Sequence, residues 1–274
     1  MSGVLKKLGL STSGYYASKG RKESQTSKRK KVIVKQIKAI HNESHKIYGA
    51  PKITRLLKQK GMAISERTVT KYMKENHIRA HYIAPYIRTT LSTSFNAKLK
   101  NTLNRNFCPE RPNQVWCTDI TYIWTHEDGF VYLTSVMDLY SRSIIGWTLS
   151  RSMEVQEVLT CIEKAMHTRN SAIPQIIHSD RGSQYVSAKY HEITKGMELS
   201  YSDKGVPYDN ACIESFHSLI KREWLRRENI QNFEHAYQLV FEYIEIFYKT
   251  VRIHSHCGYQ SPFEFENNIT KNVH

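Results

Sequence analysis

The sequence predicts a mixed α/β core over residues 111–230, preceded by a basic all-helical region and followed by C-terminal helices. Three observations predict it. Charge is divided: residues 1–108 hold 24 Lys+Arg against 4 Asp+Glu, whereas residues 109–274 hold 16 against 21. The apolar period changes at Val115, from three-to-four-residue spacing to the alternation of strands. Three carboxylates, Asp119, Asp180 and Glu214, each stand beside a strand-like or helix-like apolar run, in settings suited to a divalent metal.

Bulk properties narrow the class. A chain of 274 residues can hold two or three small domains, and its net charge of +15 points to a polyanionic partner. The five cysteines form no C-x-x-C pair and are odd in number, which argues against a disulfide framework or a zinc module. No basic-then-apolar leader and no apolar run of membrane-spanning length is present. The expectation is a cytoplasmic protein with no membrane association.

The elements follow in chain order. Residues 1–27 form an N-terminal arm, in which Val4–Leu8 and the stretch from Gly9 to Tyr16 resemble the back half of a helix-turn-helix. Residues 28–79 predict three helices. Val32, Ile33, Ile37 and Ile40 mark the first. Pro51 opens the second, with Ile53, Leu56 and Leu57 inward and Lys52, Arg55, Lys58 and Lys60 outward, and Gly61 ends it. Ser65 caps the third, Glu66–Glu75, whose buried stripe is Val69, Tyr72 and Met73. Helix, Gly-containing turn and capped helix is the helix-turn-helix pattern. Arg67, Thr68, Lys71 and Lys74 then face outward as candidate DNA contacts, with Lys52 and Arg55 beside them; a small basic bundle that contacts only protein is the alternative. Residues 80–110 read as a basic linker in which Tyr82, Tyr86, Arg88, Lys98, Lys100 and Arg105 could track a DNA backbone; a flexible tether with no specific contact is the alternative.

From Val115 the pattern is strand (Val115–Trp124), turn at His126–Gly129, strand (Phe130–Leu139), turn, and strand (Ile144–Ser150). A helix over Met153–Thr168, a short buried strand at Gln175–His178, a helix near Ser187–Lys195 and a strand at Met197–Tyr201 come next. One helix is expected from Asp209 to the Arg226-Arg227 region and another over Phe233–Lys249; residues 231–274 are read as a C-terminal helical segment and tail. Three antiparallel strands followed by helix, strand, helix, strand and helix is the order of a ribonuclease-H-like fold with a mixed five-stranded sheet.

That order places the acids. Asp119 sits within a β-branched strand, where an unpaired carboxylate is costly to bury. Asp180 ends a buried strand before a Gly-permitted turn, a common ligand-facing position, although a plain turn Asp is the alternative. Glu214 lies early on a helix, with Lys221 two turns on along the same face and Arg222 beside it. Asp128 reads as a turn residue, and Asp138 as a support or turn cap. Three such acids can hold two Mg²⁺ or Mn²⁺ ions, and oxygen-only ligands favour these hard cations over zinc. His254, His256 and Cys257 form the one close His/Cys cluster and lack a second ligand pair at zinc spacing.

With these residues in view, the chain resembles the second-frame (OrfB-type) transposases of bacterial insertion sequences, in insertion sequence family three, within the DDE transposase and retroviral integrase superfamily. The resemblance covers nearly the whole chain. It rests on Leu8–Tyr16, Tyr48–Ile53, Trp116-x-Thr118-Asp119-Ile120-Thr121, His178–Tyr185, Tyr208–Ala211 through Glu214 to Lys221, and His254-Ser255-x-x-Gly258-Tyr259-x-Ser261-Pro262. It implies that Asp119, Asp180 and Glu214 are the metal-binding catalytic triad and that Lys221 contacts the element end; Arg181, Gln184 and Arg222 join the candidate DNA contacts. It further implies double-stranded DNA as partner (terminal inverted repeats and target), a homo-oligomer of two or more copies on DNA, and a bacterial, nucleoid-associated setting. Fusion to or association with an upstream-frame helix-turn-helix/leucine-zipper protein is a further expectation. The alternatives are a metal-dependent nuclease of the same fold and a catalytically inactive DNA-binding regulator. One departure stands out: 33 residues separate Asp180 from Glu214, two fewer than is usual in the family, with the shortfall around Lys195–Ser202.

Overall fold

The structure, a computed structural model of the 274-residue chain, describes residues 23–81, 99–203 and 206–272, with a few isolated positions before residue 18. The helix-turn-helix half expected at residues 3–18 and most of the basic linker lie outside the described residues. The chain divides into two compact units, Met1–Ala80 and His81–His274.

The first unit contains α1 (Gln25–Glu43), α2 (Ala50–Gln59) and α3 (Glu66–Glu75). Helix α1 starts well before the apolar stripe marked its start, because Ser24 caps it by accepting from the Ser27 N–H at 3.1 Å and the Lys/Arg run behind the cap is good helix former. Ile33, Ile37, Ile40, Ile53, Leu57, Val69 and Met73 make its core. Gly61 leaves α2 at φ +78, the left-handed conformation that glycine adopts without strain. Ser65 caps α3 through the Thr68 N–H at 3.3 Å. Arg67, Lys71 and Lys74 are exposed on α3 and Arg55 on α2, whereas Thr68 is half-buried within the cap. Lys52 is also half-buried, with its ammonium 4.7 Å over the Tyr48 ring.

The second unit is built on a five-stranded sheet in the order β3-β2-β1-β4-β5. Strands β1 (Val115–Thr125), β2 (Gly129–Asp138) and β3 (Ile144–Ser150) form an antiparallel meander; β4 (Ile176–Ser179) runs parallel to β1, and β5 (Glu198–Tyr201) parallel to β4. This is the expected ribonuclease-H-like arrangement. Helix α4 (Val155–Thr168) lies so close to β3 that a Cβ on Gly146 would meet the Cys161 carbonyl at 2.6 Å. Trp116, Val136, Val158, Ile162, Ile177, Tyr185 and Tyr190 fill the core on that side, α5 (Ala188–Ile193) contributing Tyr190.

Helix α6 (Ala211–Glu223) packs on β1. The single helix expected from Asp209 to Arg227 is instead three pieces: a 3₁₀ turn over Pro207–Asn210, α6, and a second 3₁₀ turn over Leu225–Arg227. The break falls at Trp224, whose indole stacks 5.4 Å from the Phe247 ring, a tertiary contact that overrides local helix propensity. Helix α7 (Phe233–Phe241) continues into a π-helical stretch over Glu242–Tyr248, and the tail forms one more helix, α8 (Pro262–Asn272).

Two charged locks fasten this C-terminal segment to the core. Arg252 grips Glu223 at the end of α6 with two 2.7 Å hydrogen bonds, and the Tyr243 hydroxyl donates to the same carboxylate at 2.8 Å. Arg169 joins Asp138 at 3.1 Å to Glu266 at 2.6 Å, and Ser141 donates to Glu266 as well. Among the described residues no helix is long and apolar enough to cross a membrane.

Candidate active site

Strand β1 pairs with β4 only through Val115–Cys117. Asp119 lies two residues past that pairing, opposite Ser135 of β2, and keeps 18% of its side chain exposed. The parallel neighbour ends in the same region, so the chain after β4 delivers Asp180 toward Asp119. The Gly182 N–H donates to Asp180 Oδ1 at 2.8 Å, turning the chain at once. A Cβ on Gly182 would stand 3.0 Å from that oxygen, so a larger residue here would press on the Asp180 carboxylate. Glu214 enters from the first turn of α6, the end of a helix that favours a carboxylate.

The three acids sense one another. Asp180 touches solvent, yet protein crowds round it. That burial, followed by the charge of Asp119, pushes its carboxyl up to about 6, with the Gly182 hydrogen bond opposing. Glu214 is pushed up to about 7 by burial and then by Asp119 and Asp180. The buried Tyr185 hydroxyl stands 3.4 Å from Thr118 Oγ1 and is raised by burial, Asp119 and Asp180 together. Among the described residues no group of three His, Cys, Asp or Glu side chains is closed into a ready cation cage. The acids lie at electrostatic range rather than at coordinating contact.

The donor chemistry fits a hard divalent ion. All three groups offer carboxylate oxygens, the Glu214 carboxylate makes no hydrogen bond or ion pair with another described residue, and like charges gathered this way call for a cation. Lys221 is held nearby. Its ammonium donates to Thr121 Oγ1 at 2.6 Å and sits 4.3 Å over the Tyr122 ring; burial, then Arg226, lower it to about 8, while Asp119 pulls the other way.

Not every candidate from the sequence converges here. Arg181 is turned inward: Nε donates to the Ser202 carbonyl at 2.8 Å and Nη2 reaches Asp203 at 3.0 Å. Gln184 donates to the Met153 carbonyl at 2.9 Å. Arg222 donates to the Ser218 carbonyl of its own helix at 3.3 Å. Asp138 is fully buried, accepting from the Asn113 and Tyr140 N–H groups and from Arg169, and Asp128 caps α7 by accepting from the Phe233 N–H at 2.7 Å. Both are structural carboxylates.

Sequence reasoning missed His217. Its ring is buried, with Nδ1 at 3.3 Å from Asp119 Oδ2 and Nε2 at 3.3 Å from Ser135 Oγ. The signal was present: position 217 lies three residues after Glu214 and four before Lys221, hence on the same face of α6.

A helix-turn-helix-like unit followed by a ribonuclease-H-like core with clustered acids defines the integrase type of DNA-processing enzyme. Family models agree in kind: an HTH-like domain matches residues 28–85, and two integrase core domain models match residues 109–207 and 195–262. The transposase for insertion sequence element IS904 of Lactococcus lactis is 35% identical over 90% of this chain and 98% of its own. The transposase InsF for insertion sequence IS3A of Escherichia coli is 37% identical over 84% of this chain and 80% of its own. The solved HTLV-2 integrase catalytic core domain in complex with magnesium is similar at 14% identity and a TM-score of 0.42, across 57% of this chain and 97% of that one. The chain belongs to the DDE transposases of insertion sequence family three.

Proposed function

We propose that the chain cuts DNA at the ends of its insertion sequence and joins the freed 3′-hydroxyl to a target phosphodiester, with Asp119, Asp180 and Glu214 as the metal ligands. The observation that carries this reading is the convergence of three acids at the junction of β1, β4 and α6, where Asp180 is raised by burial and then by Asp119, and Glu214 by burial and then by Asp119 and Asp180. Two Mg²⁺ or Mn²⁺ ions bound there would supply Lewis acidity toward the attacking and the leaving oxygens. The protein's own part is to aim the carboxylates. The Gly182 turn fixes Asp180, and the sheet register fixes Asp119. Lys221, anchored by Thr121 two turns from Glu214, presents a positive charge to a DNA phosphate beside the site.

The first unit supplies affinity. Arg67, Lys71 and Lys74 on α3, with Arg55 and Lys52 on α2, form the phosphate-facing side of the helix-turn-helix, and Thr68 stays with the cap. Arg181 and Gln184 shape the turn that carries Asp180. In this reading the chain is organised as an arm (1–27), a helix-turn-helix unit (28–79), a linker (80–110), a catalytic core (111–230) and a C-terminal segment (231–274). It works on double-stranded DNA as an oligomer, alone or joined to an upstream-frame product.

The test uses the full chain and a labelled duplex of the repeats that flank its gene. Asp119→Asn should bind that duplex as the parent does and lose Mg²⁺-dependent cleavage. A pre-cut end should be joined to target DNA by the parent. Cleavage without joining would leave a nuclease; activity untouched by Asp119→Asn would leave a DNA-binding regulator.

A further inference from the structure

We infer that His217 is a positioning residue that fixes the orientation of the Asp119 carboxylate through a hydrogen-bonded bridge to Ser135; the inference deepens the metal-ligand reading of Asp119 and rests on it. A carboxylate only accepts hydrogen bonds, so Nδ1 must carry the proton that reaches Asp119 Oδ2 at 3.3 Å. In the neutral ring Nε2 is then an acceptor, and the Ser135 hydroxyl 3.3 Å away can only serve it as donor. Ser135 is fully buried on β2 and directly opposite Asp119 in the ladder. The sheet thus sets the ring, and the ring sets the acid.

The bridge spans three elements. His217 comes from α6, Asp119 from β1 and Ser135 from β2, so the α6 face that carries Glu214 and Lys221 is registered against the strand that carries Asp119. Phe216 beside it meets Tyr248 edge-to-face at 4.9 Å, which holds this turn of α6 in place. Because Nδ1 engages Oδ2, the bond leaves Oδ1 as the oxygen to be aimed at a cation. A ring that orients a metal-binding carboxylate in this way is typically worth 10–100-fold in metal affinity.

The experiment measures Mn²⁺ binding to the full chain by electron paramagnetic resonance, without DNA, and records melting in EDTA beside it. His217→Asn keeps a nitrogen near the Nδ1 position and can still donate to Asp119. His217→Gln reaches toward Ser135 and cannot. The expected result is about 10–100-fold weaker Mn²⁺ binding in His217→Gln and in His217→Ala. His217→Asn should lie within about 3-fold of the parent, and Ser135→Ala, which frees the far nitrogen, should show an intermediate loss of about 3–10-fold. Parental affinity in His217→Gln would overturn the inference. So would equal loss in His217→Asn and His217→Gln, or losses that merely follow melting in EDTA. Asp119→Asn separates the two readings: if the parent binds no Mn²⁺ that this change removes, the metal assignment fails first, whatever His217 does.

Discussion

Carboxylates in two regions of the core meet opposite treatment. In the C-terminal locks, Glu223 receives two hydrogen bonds from Arg252 and one from Tyr243, and Asp138 and Glu266 share Arg169. At the junction of β1, β4 and α6, Asp180 and Glu214 have no Arg or Lys partner among the described residues; burial and the charge of Asp119 raise both, and Asp180 adds to the rise of Glu214. The arginines exist, but the fold spends them on holding the scaffold. Buried acids with matched cations rigidify a structure, whereas gathered acids without them store electrostatic strain that a bound cation can release. The difference supports the proposed site more firmly than any one residue does.

The comparison can be broken or sharpened by changing one acid or partner at a time. The largest effect belongs to Asp119→Asn, which should lower Mg²⁺-dependent cleavage by about three orders of magnitude and leave the far-ultraviolet circular dichroism spectrum of the folded chain unchanged. Next is Arg252→Ala. It strands Glu223 in a site where Arg252 itself is only 6% exposed, and urea unfolding should register a loss of about 3–5 kcal/mol.

A smaller effect is set by pH at Asp209, which is 2% exposed. Burial pushes its carboxyl up, but the Asp203 N–H at 2.9 Å and Arg105 at 2.7 Å outweigh burial and hold it below the usual range. A carboxyl lowered on folding stabilises the protein above its unfolded pKa of about 3.9 and loses that contribution as pH falls through the lower folded value. Asp209→Asn should therefore cost about 1–2 kcal/mol at pH 7 and flatten the stability profile below about pH 4, as read by unfolding at stepped pH. The smallest effect has the opposite sign. Asp180→Asn keeps an oxygen for the Gly182 N–H and removes one repelling charge. In EDTA it should raise the melting temperature by about 1–2 °C, a gain of stability bought with activity.

Much of this was legible in the chain. Alternation of β-branched and aromatic residues located β1 to β3 within a residue or two, and Ser65 marked the first residue of α3 correctly. The acids could be assigned to a strand, a post-strand turn and a helix because each carries its own local signature. What stayed hidden depends on partners far along the chain. His217 takes its meaning from Ser135, 82 residues away. Arg181 and Gln184 look like free polar side chains until topology delivers the Ser202 and Met153 carbonyls to them. The break at Trp224 and the π-helical stretch before Tyr248 arise from one aromatic stack that no local pattern encodes.

The central idea is that segments around residues 119, 180 and 214 share one divalent-metal site. Replacing Mg²⁺ with Fe²⁺ and adding hydrogen peroxide, with ascorbate to return Fe³⁺ to Fe²⁺, would let the bound metal cut the backbone beside it, and the fragments can be mapped by mass. Cuts clustered in all three segments, lost together in Asp119→Asn, are the result expected here. Cuts at one segment alone, or scattered cuts that survive that substitution, would contradict it.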